Sequence, residues 1–126
     1  MLPYLFVVRS AEICLLDDDP NVLIGVGRLL SSANWDTQKF SDPQEFLRYS
    51  EAHQPPVAVI DICMPIMSEL EVQSRLREIS PPTRVIIFTG DESELHRVAA
   101  LCAGAVAFFN KPVDNDEFLA AVRDNA

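Results

Sequence analysis

A chain of 126 residues is sized for one domain, and at that length folding hides roughly two-thirds of the unfolded surface without staples. Its composition, 48% apolar and 23% charged, is that of an ordinary globular protein and excludes a disordered or fibrous chain. A formal net charge of −9 excludes direct nucleic-acid binding by this domain, which rests mainly on clustered Lys and Arg, and suits cations or basic partner surfaces.

In chain order, residues 1–11 form an N-terminal extension, expected to be disordered or to add a contact, ahead of a domain spanning 12–126. The opening run MLPYLFVV lacks a basic n-region and a small-residue cleavage site, so it is a poor secretory signal. Ile13–Leu16 is the first strand-length apolar run. Val22, Val26, Leu29 and Leu30 then share one helical face, although Gly25 and Gly27 weaken that helix. Trp35–Phe40 is a weaker strand. Asp42 as N-cap and Pro43 at the first position open a short helix over Pro43–Ala52. Pro55-Pro56 hands over to the strand Val57–Ile60. Ser68 and Glu71 have capping-box spacing, followed by Val72, Leu76 and Ile79 at i, i+4 and i+7. Pro81-Pro82 precedes the strand Val85–Phe88; a helix over Glu92–Cys102, a strand over Ala105–Phe109 and a helix over Asn115–Asn125 complete the chain.

Near-continuous apolar strands alternating with helices predict an α/β protein, (βα)₅, with a doubly wound five-stranded parallel sheet covered on both faces in three α/β/α layers. In such folds ligands sit outside the carboxyl ends of the strands, where strand order reverses. Cys14, Cys63 and Cys102 have no CxxC spacing, which argues against a disulfide frame or zinc site and fits a reducing compartment. No stretch approaches the ~18–20 apolar residues needed to span a bilayer, so the expected location is cytoplasmic, away from membranes.

The polar residues fall at the strand ends. Asp17, Asp18 and Asp19 follow the first strand, Asp61 the third, Thr89 the fourth, and Lys111 follows the fifth. Asp19 reads as a helix cap, since Asp-Pro before an apolar helix is a start signal. Capping does not explain Asp17 and Asp18, whose clustered charges are costly near a buried strand unless a cation is present. Oxygen-only ligands of this kind suit Mg²⁺, with Mn²⁺ as a substitute. Near such an ion and an ammonium, Asp61 becomes a nucleophile toward a phosphoryl group, because carboxylates form acyl phosphates and phosphoryl transfer rests on positioning and charge neutralisation. Pro112 restricts the backbone at Lys111, which argues against an ordinary surface lysine. The Thr89 hydroxyl, followed by Gly90, is suited to hydrogen-bond a phosphoryl oxygen.

The segments LLDDDP, VIDICMPIMSELE, IIFTGDE and AFFNKP, in this order and spacing, resemble the receiver domain of bacterial two-component response regulators. The resemblance runs from about Ile13 to the C-terminus and implies a flavodoxin-like, CheY-like fold. It also implies Asp61 as phosphoacceptor, Asp17 and Asp18 with Asp61 at the metal, and the Cys63 backbone carbonyl as a further metal ligand. Thr89 is then the switch hydroxyl, Lys111 the phosphate-contacting lysine and Phe108 the switch aromatic. Cys63 and Asp91 take the positions that tune phosphoryl lifetime; Asp91 reads equally as orienting a hydrolytic water or capping the next helix. Implied partners are a sensor histidine kinase or phosphotransfer protein, an output domain or downstream protein, and a second copy through the face of the fourth helix, fifth strand and fifth helix. The domain is expected to be no enzyme beyond catalysing its own phosphorylation and dephosphorylation.

Glu69 departs from the family pattern, which usually has Gly at that position, and implies a different path or some strain in the 64–69 loop. One rival reading is a haloacid-dehalogenase-type phosphatase, through the DxD within Asp17–Asp19. Asn21, where that family typically has Thr or Val, the small scaffold and the lack of a further acidic motif argue against it. The other is a pseudo-receiver, an interaction module independent of phosphorylation, which predicts missing site members.

Overall fold

The computed structural model describes residues 12–61, 68–90 and 94–126. Strands and helices alternate throughout: β1 (Glu12–Leu16), α1 (Pro20–Ser32), β2 (Asp36–Phe40), α2 (Pro43–His53), β3 (Val57–Ile60), α3 (Glu69–Ile79), β4 (Arg84–Thr89), α4 (Glu94–Cys102), β5 (Ala107–Asn110) and α5 (Asn115–Asn125). All strand pairs are parallel, in the order β2-β1-β3-β4-β5, so strand order reverses at β1 and β3 as the doubly wound reading requires.

Side chains alternate across a strand, and the three central strands therefore feed two cores. Cys14, Leu16, Ile60 and Ile87 pack on one face with Phe46 of α2 and Leu76 of α3. Ile13, Leu15, Val59 and Phe88 pack on the other with Leu30 of α1 and Phe118 of α5. Each large side chain fully buried here contributes about 1.5–3 kcal/mol.

Helix starts follow the capping chemistry of the sequence. The carboxylates of Asp19, Asp42 and Asp114 and the Ser68 hydroxyl accept backbone N–H bonds in the first turns of α1, α2, α5 and α3. Gly27 does not break α1. A Cβ there would come 2.5 Å from Lys39 Cε, so the glycine makes room for the stem of the β2 lysine. Several boundaries differ from the sequence reading, among them β2, which begins at Asp36 rather than Trp35, and β4, which runs Arg84–Thr89 rather than Val85–Phe88. β1 begins at Glu12, one residue early. α2 continues to His53 and stops at Gln54, whose left-handed backbone (φ 49°, ψ 60°) ends the helix. β5 starts at Ala107, because Gly104 turns the chain at φ 105° and the Ala105 N–H still bonds back to Ala100. Glu69 occupies the first helical position of α3, so no left-handed conformation is asked of it. Residues 64–67 of the 64–69 loop, residues 1–11 and the predicted helix start at Glu92 lie outside the described residues.

Candidate functional site

At the carboxyl edge the ladder runs one residue past β1 and β3. The Asp17 N–H donates to the Phe40 carbonyl at 3.1 Å, and the Asp61 N–H donates to the Leu16 carbonyl at 2.9 Å. Both acids are thus fixed by sheet hydrogen bonds at the point where strand order reverses. Asp17 and Asp61 are buried and Asp18 is exposed, and carboxylate oxygens of all three lie within 4.8 Å of one another. Like charges this close repel strongly in a partly buried setting.

Lys111 answers part of that charge. Its backbone N–H donates to the Thr89 carbonyl at 2.7 Å, and its peptide bond to Pro112 is cis. Its Nζ donates to Asp17 Oδ2 at 3.3 Å and stands 3.9 Å from Asp61 Oδ1. Both oxygens of Asp17 have a partner, since its Oδ1 accepts the Asp19 N–H at 2.9 Å. Asp19 itself caps α1 by accepting the Asn21 N–H, as the sequence predicted. Among the described residues, three carboxylates meet one ammonium. Oxygen donors held this close, with negative charge in excess, fit a hard divalent cation such as Mg²⁺.

Thr89 is fully buried at the end of β4. Alternation puts it on the same sheet face as Ile87, and Phe108, paired in register with Ile87, is half-buried against the core of that face. The structure thus brings Asp17, Asp18, Asp61 and Lys111 into one cluster and sets Thr89 and Phe108 on a common face. Cys63 and Asp91 lie outside the described residues.

Sequence reasoning missed Phe88. Its ring centroid is 5.3 Å from Lys111 Nζ, within cation–π range, and the same ring belongs to the core beneath α1 and α5. Its place directly before Thr89 was the available signal, because adjacent strand residues face opposite sides of the sheet.

Comparison with known proteins agrees with this fold. The family model for the response regulator receiver domain matches residues 13–123. The response regulator protein TodT of Pseudomonas putida is 35% identical over 115 residues, covering 91% of this chain and 51% of TodT. The chain thus spans about half the length of the curated relatives it matches. A CheY-like receiver domain protein from Methanospirillum hungatei JF-1 superposes with a TM-score of 0.85 at 26% identity, covering 92% of this chain and 93% of that one. The BeF₃-activated DrrB receiver domain superposes with a TM-score of 0.82 at 28% identity, covering 92% and 97%. No helix among the described residues is long and apolar enough to cross a membrane.

Proposed function

Because the chain belongs to the response regulator receiver domain family of two-component signalling, we propose that it takes a phosphoryl group onto Asp61 from the phosphohistidine of a sensor histidine kinase or phosphotransfer protein. The observation that carries this reading is the convergence of Asp61 with Asp17, Asp18 and Lys111 at the sheet's switch point. It also favours a working receiver over a phosphorylation-independent module, and family membership favours it over a phosphatase.

In the proposed step an Asp61 carboxylate oxygen forms a bond to phosphorus while the donor's P–N bond breaks and its electron pair returns to the imidazole. The product is an acyl phosphate. Its added negative charge arises beside carboxylates, so the site must supply positive charge. Lys111 supplies one fixed ammonium. Asp17, Asp18 and Asp61, with the Cys63 carbonyl as the resemblance implies, would hold Mg²⁺ or Mn²⁺, whose bound charge offsets that of the phosphoryl oxygens. Thr89 then hydrogen-bonds a phosphoryl oxygen, and Phe108, on the same sheet face, fills the space the threonine leaves. That shift biases a two-state equilibrium of the face formed by α4, β5 and α5. An attached output domain, a downstream protein or a second copy reads this face in the cytoplasm, while Cys63 and Asp91 tune how long the acyl phosphate lasts.

Incubation with acetyl phosphate and Mg²⁺ tests the reading. Intact mass should rise by one phosphoryl group in stoichiometric, self-limiting fashion, BeF₃⁻ with Mg²⁺ should shift NMR signals across 89–111, and both should vanish in Asp61→Asn. An unchanged mass and an unchanged spectrum in the wild-type protein would overturn it.

A further inference from the structure

Lys111 is tethered at both ends by two consecutive residues of β4. The Thr89 carbonyl accepts its backbone N–H at 2.7 Å, and the Phe88 ring lies 5.3 Å from its ammonium. Between those tethers the ammonium favours Asp17, at 3.3 Å, over the Asp61 oxygen at 3.9 Å. A phosphoryl group on Asp61 therefore needs this ammonium to leave Asp17. A carboxylate partner holds it by a directional hydrogen bond, whereas an aromatic face attracts a cation over a broad area out to about 6 Å from the centroid. The ring offers an attraction that persists as the ammonium moves.

The ring is itself fixed. Phe88 is 8% exposed and meets Phe118 edge to face, with centroids 5.5 Å apart and planes at 78°. Phe109 contacts the same Phe118 ring at 6.0 Å and 77°, so Phe88 is backed by an aromatic stack reaching across to β5. It lines a small apolar cavity together with Asp17 and Asp61, and the adjoining groove that reaches Lys111. Low-dielectric walls of this kind strengthen a cation–quadrupole attraction.

From this arrangement we infer that Phe88 is a positioning residue for phosphoryl transfer: its ring face guides the Lys111 ammonium from Asp17 to the phosphoryl group on Asp61. The inference rests on Asp61 being the phosphoacceptor, and it assigns the guiding of the lysine to a residue whose own side chain has no group able to touch the reacting atoms by charge or hydrogen bond.

Shape and electrostatics separate cleanly at this position. Replacing Phe88 with 3,4,5-trifluorophenylalanine keeps the ring's form while draining negative charge from its face, Phe88→Leu removes the ring, and Phe88→Tyr keeps the face. With acetyl phosphate and Mg²⁺, the trifluorophenylalanine and leucine variants should label Asp61 about threefold to tenfold more slowly than wild type, and the tyrosine variant should recover most of the rate. In the absence of any phosphoryl donor, the NMR order parameter of the Lys111 ammonium should fall in the trifluorophenylalanine variant. Wild-type labelling and an unchanged order parameter in that variant would overturn the inference, even if Phe88→Leu is slow, because slowness from leucine alone means lost packing. A lowered order parameter together with a wild-type protein that takes no phosphoryl group would leave the hold of Phe88 on the ammonium standing and overturn the phosphoacceptor reading instead.

Discussion

The two ends of the sheet handle charge in opposite ways. At the amino end, the Glu12 carboxylate accepts a 2.6 Å hydrogen bond from the Tyr49 hydroxyl, and His53 stacks on the Tyr49 ring at 3.9 Å. The Gln54 amide donates to the carbonyls of Ser50, Glu51 and Ile79, tying the ends of α2 and α3 together. Thr83 donates to the Pro55 carbonyl at 2.6 Å and pairs with the Ser80 hydroxyl. Each of these polar groups meets a complement. At the carboxyl end, carboxylates are pressed together with one lysine among the described residues to answer them. One end is arranged for stability. The other holds crowded like charge that lowers stability, the trade expected at functional sites, and under the proposed function cations and a phosphoryl group would draw on it.

The sharpest break between the ends is chemical. Asp61→Asn should abolish phosphoryl labelling, read by intact mass, whereas Tyr49→Phe should label at the wild-type rate because it acts only at the far end. Next in size is cation affinity. Asp18→Ala removes an exposed member of the acid cluster without opening a core cavity, and Mg²⁺ affinity measured by titration calorimetry should fall about tenfold or more. Undiminished affinity would remove Asp18 from the ligand set.

Stability should then change sign from one end to the other. Tyr49→Phe loses a hydrogen bond to a carboxylate and should cost about 1.5–3 kcal/mol in urea denaturation. Asp61→Asn, measured without divalent cation, relieves repulsion at nearly constant shape and should stabilise the fold by about 0.5–1 kcal/mol. Adding Mg²⁺ should raise the wild-type midpoint and leave that of the Asp61→Asn variant nearly unmoved, since a ligand stabilises only the state that binds it. A destabilised Asp61→Asn protein in the absence of metal would show that the acids are held by partners strong enough to cancel their repulsion.

The comparison also explains what the sequence could carry. Asp17, Asp18, Asp61, Thr89 and Lys111 were legible because parallel strands share one direction, so any residue just past an apolar run lands at the same edge. β2 was faint because it is an edge strand whose residues, DTQKF, are mostly exposed and carry little apolar pattern. The Lys111–Asp17 bond and the Phe88 ring beneath the ammonium depend on β1, β3, β4 and β5 standing side by side in that order, which no local pattern encodes. The Tyr49–Glu12 bond joins residues 37 apart and was equally invisible, and so was the reason α1 tolerates Gly27, which lies in the side chain of Lys39.

The smallest effect is one of pH, and it belongs to the amino half of the molecule. Burial pushes the Cys14 thiol from its ordinary value of 9.0 up to about 12, with Glu12 nearby adding to the rise. Burial also raises the Tyr49 phenol above its ordinary 10.0, reinforced by its hydrogen bond to Glu12. In both cases the fold prefers the neutral, protonated form, so the native state binds more protons than the unfolded chain once the pH passes the unfolded values. The Cys14 contribution is complete below about pH 9 and is lost progressively from there to about pH 12, and that of Tyr49 is complete below about pH 10 and is lost above it. The urea midpoint should therefore fall between about pH 8 and about pH 10.5, and Tyr49→Phe should flatten the part of that slope due to the phenol. A fall of equal steepness in the Tyr49→Phe variant would assign the alkaline loss to Cys14 and leave the tyrosine's bond to Glu12 with no share in it.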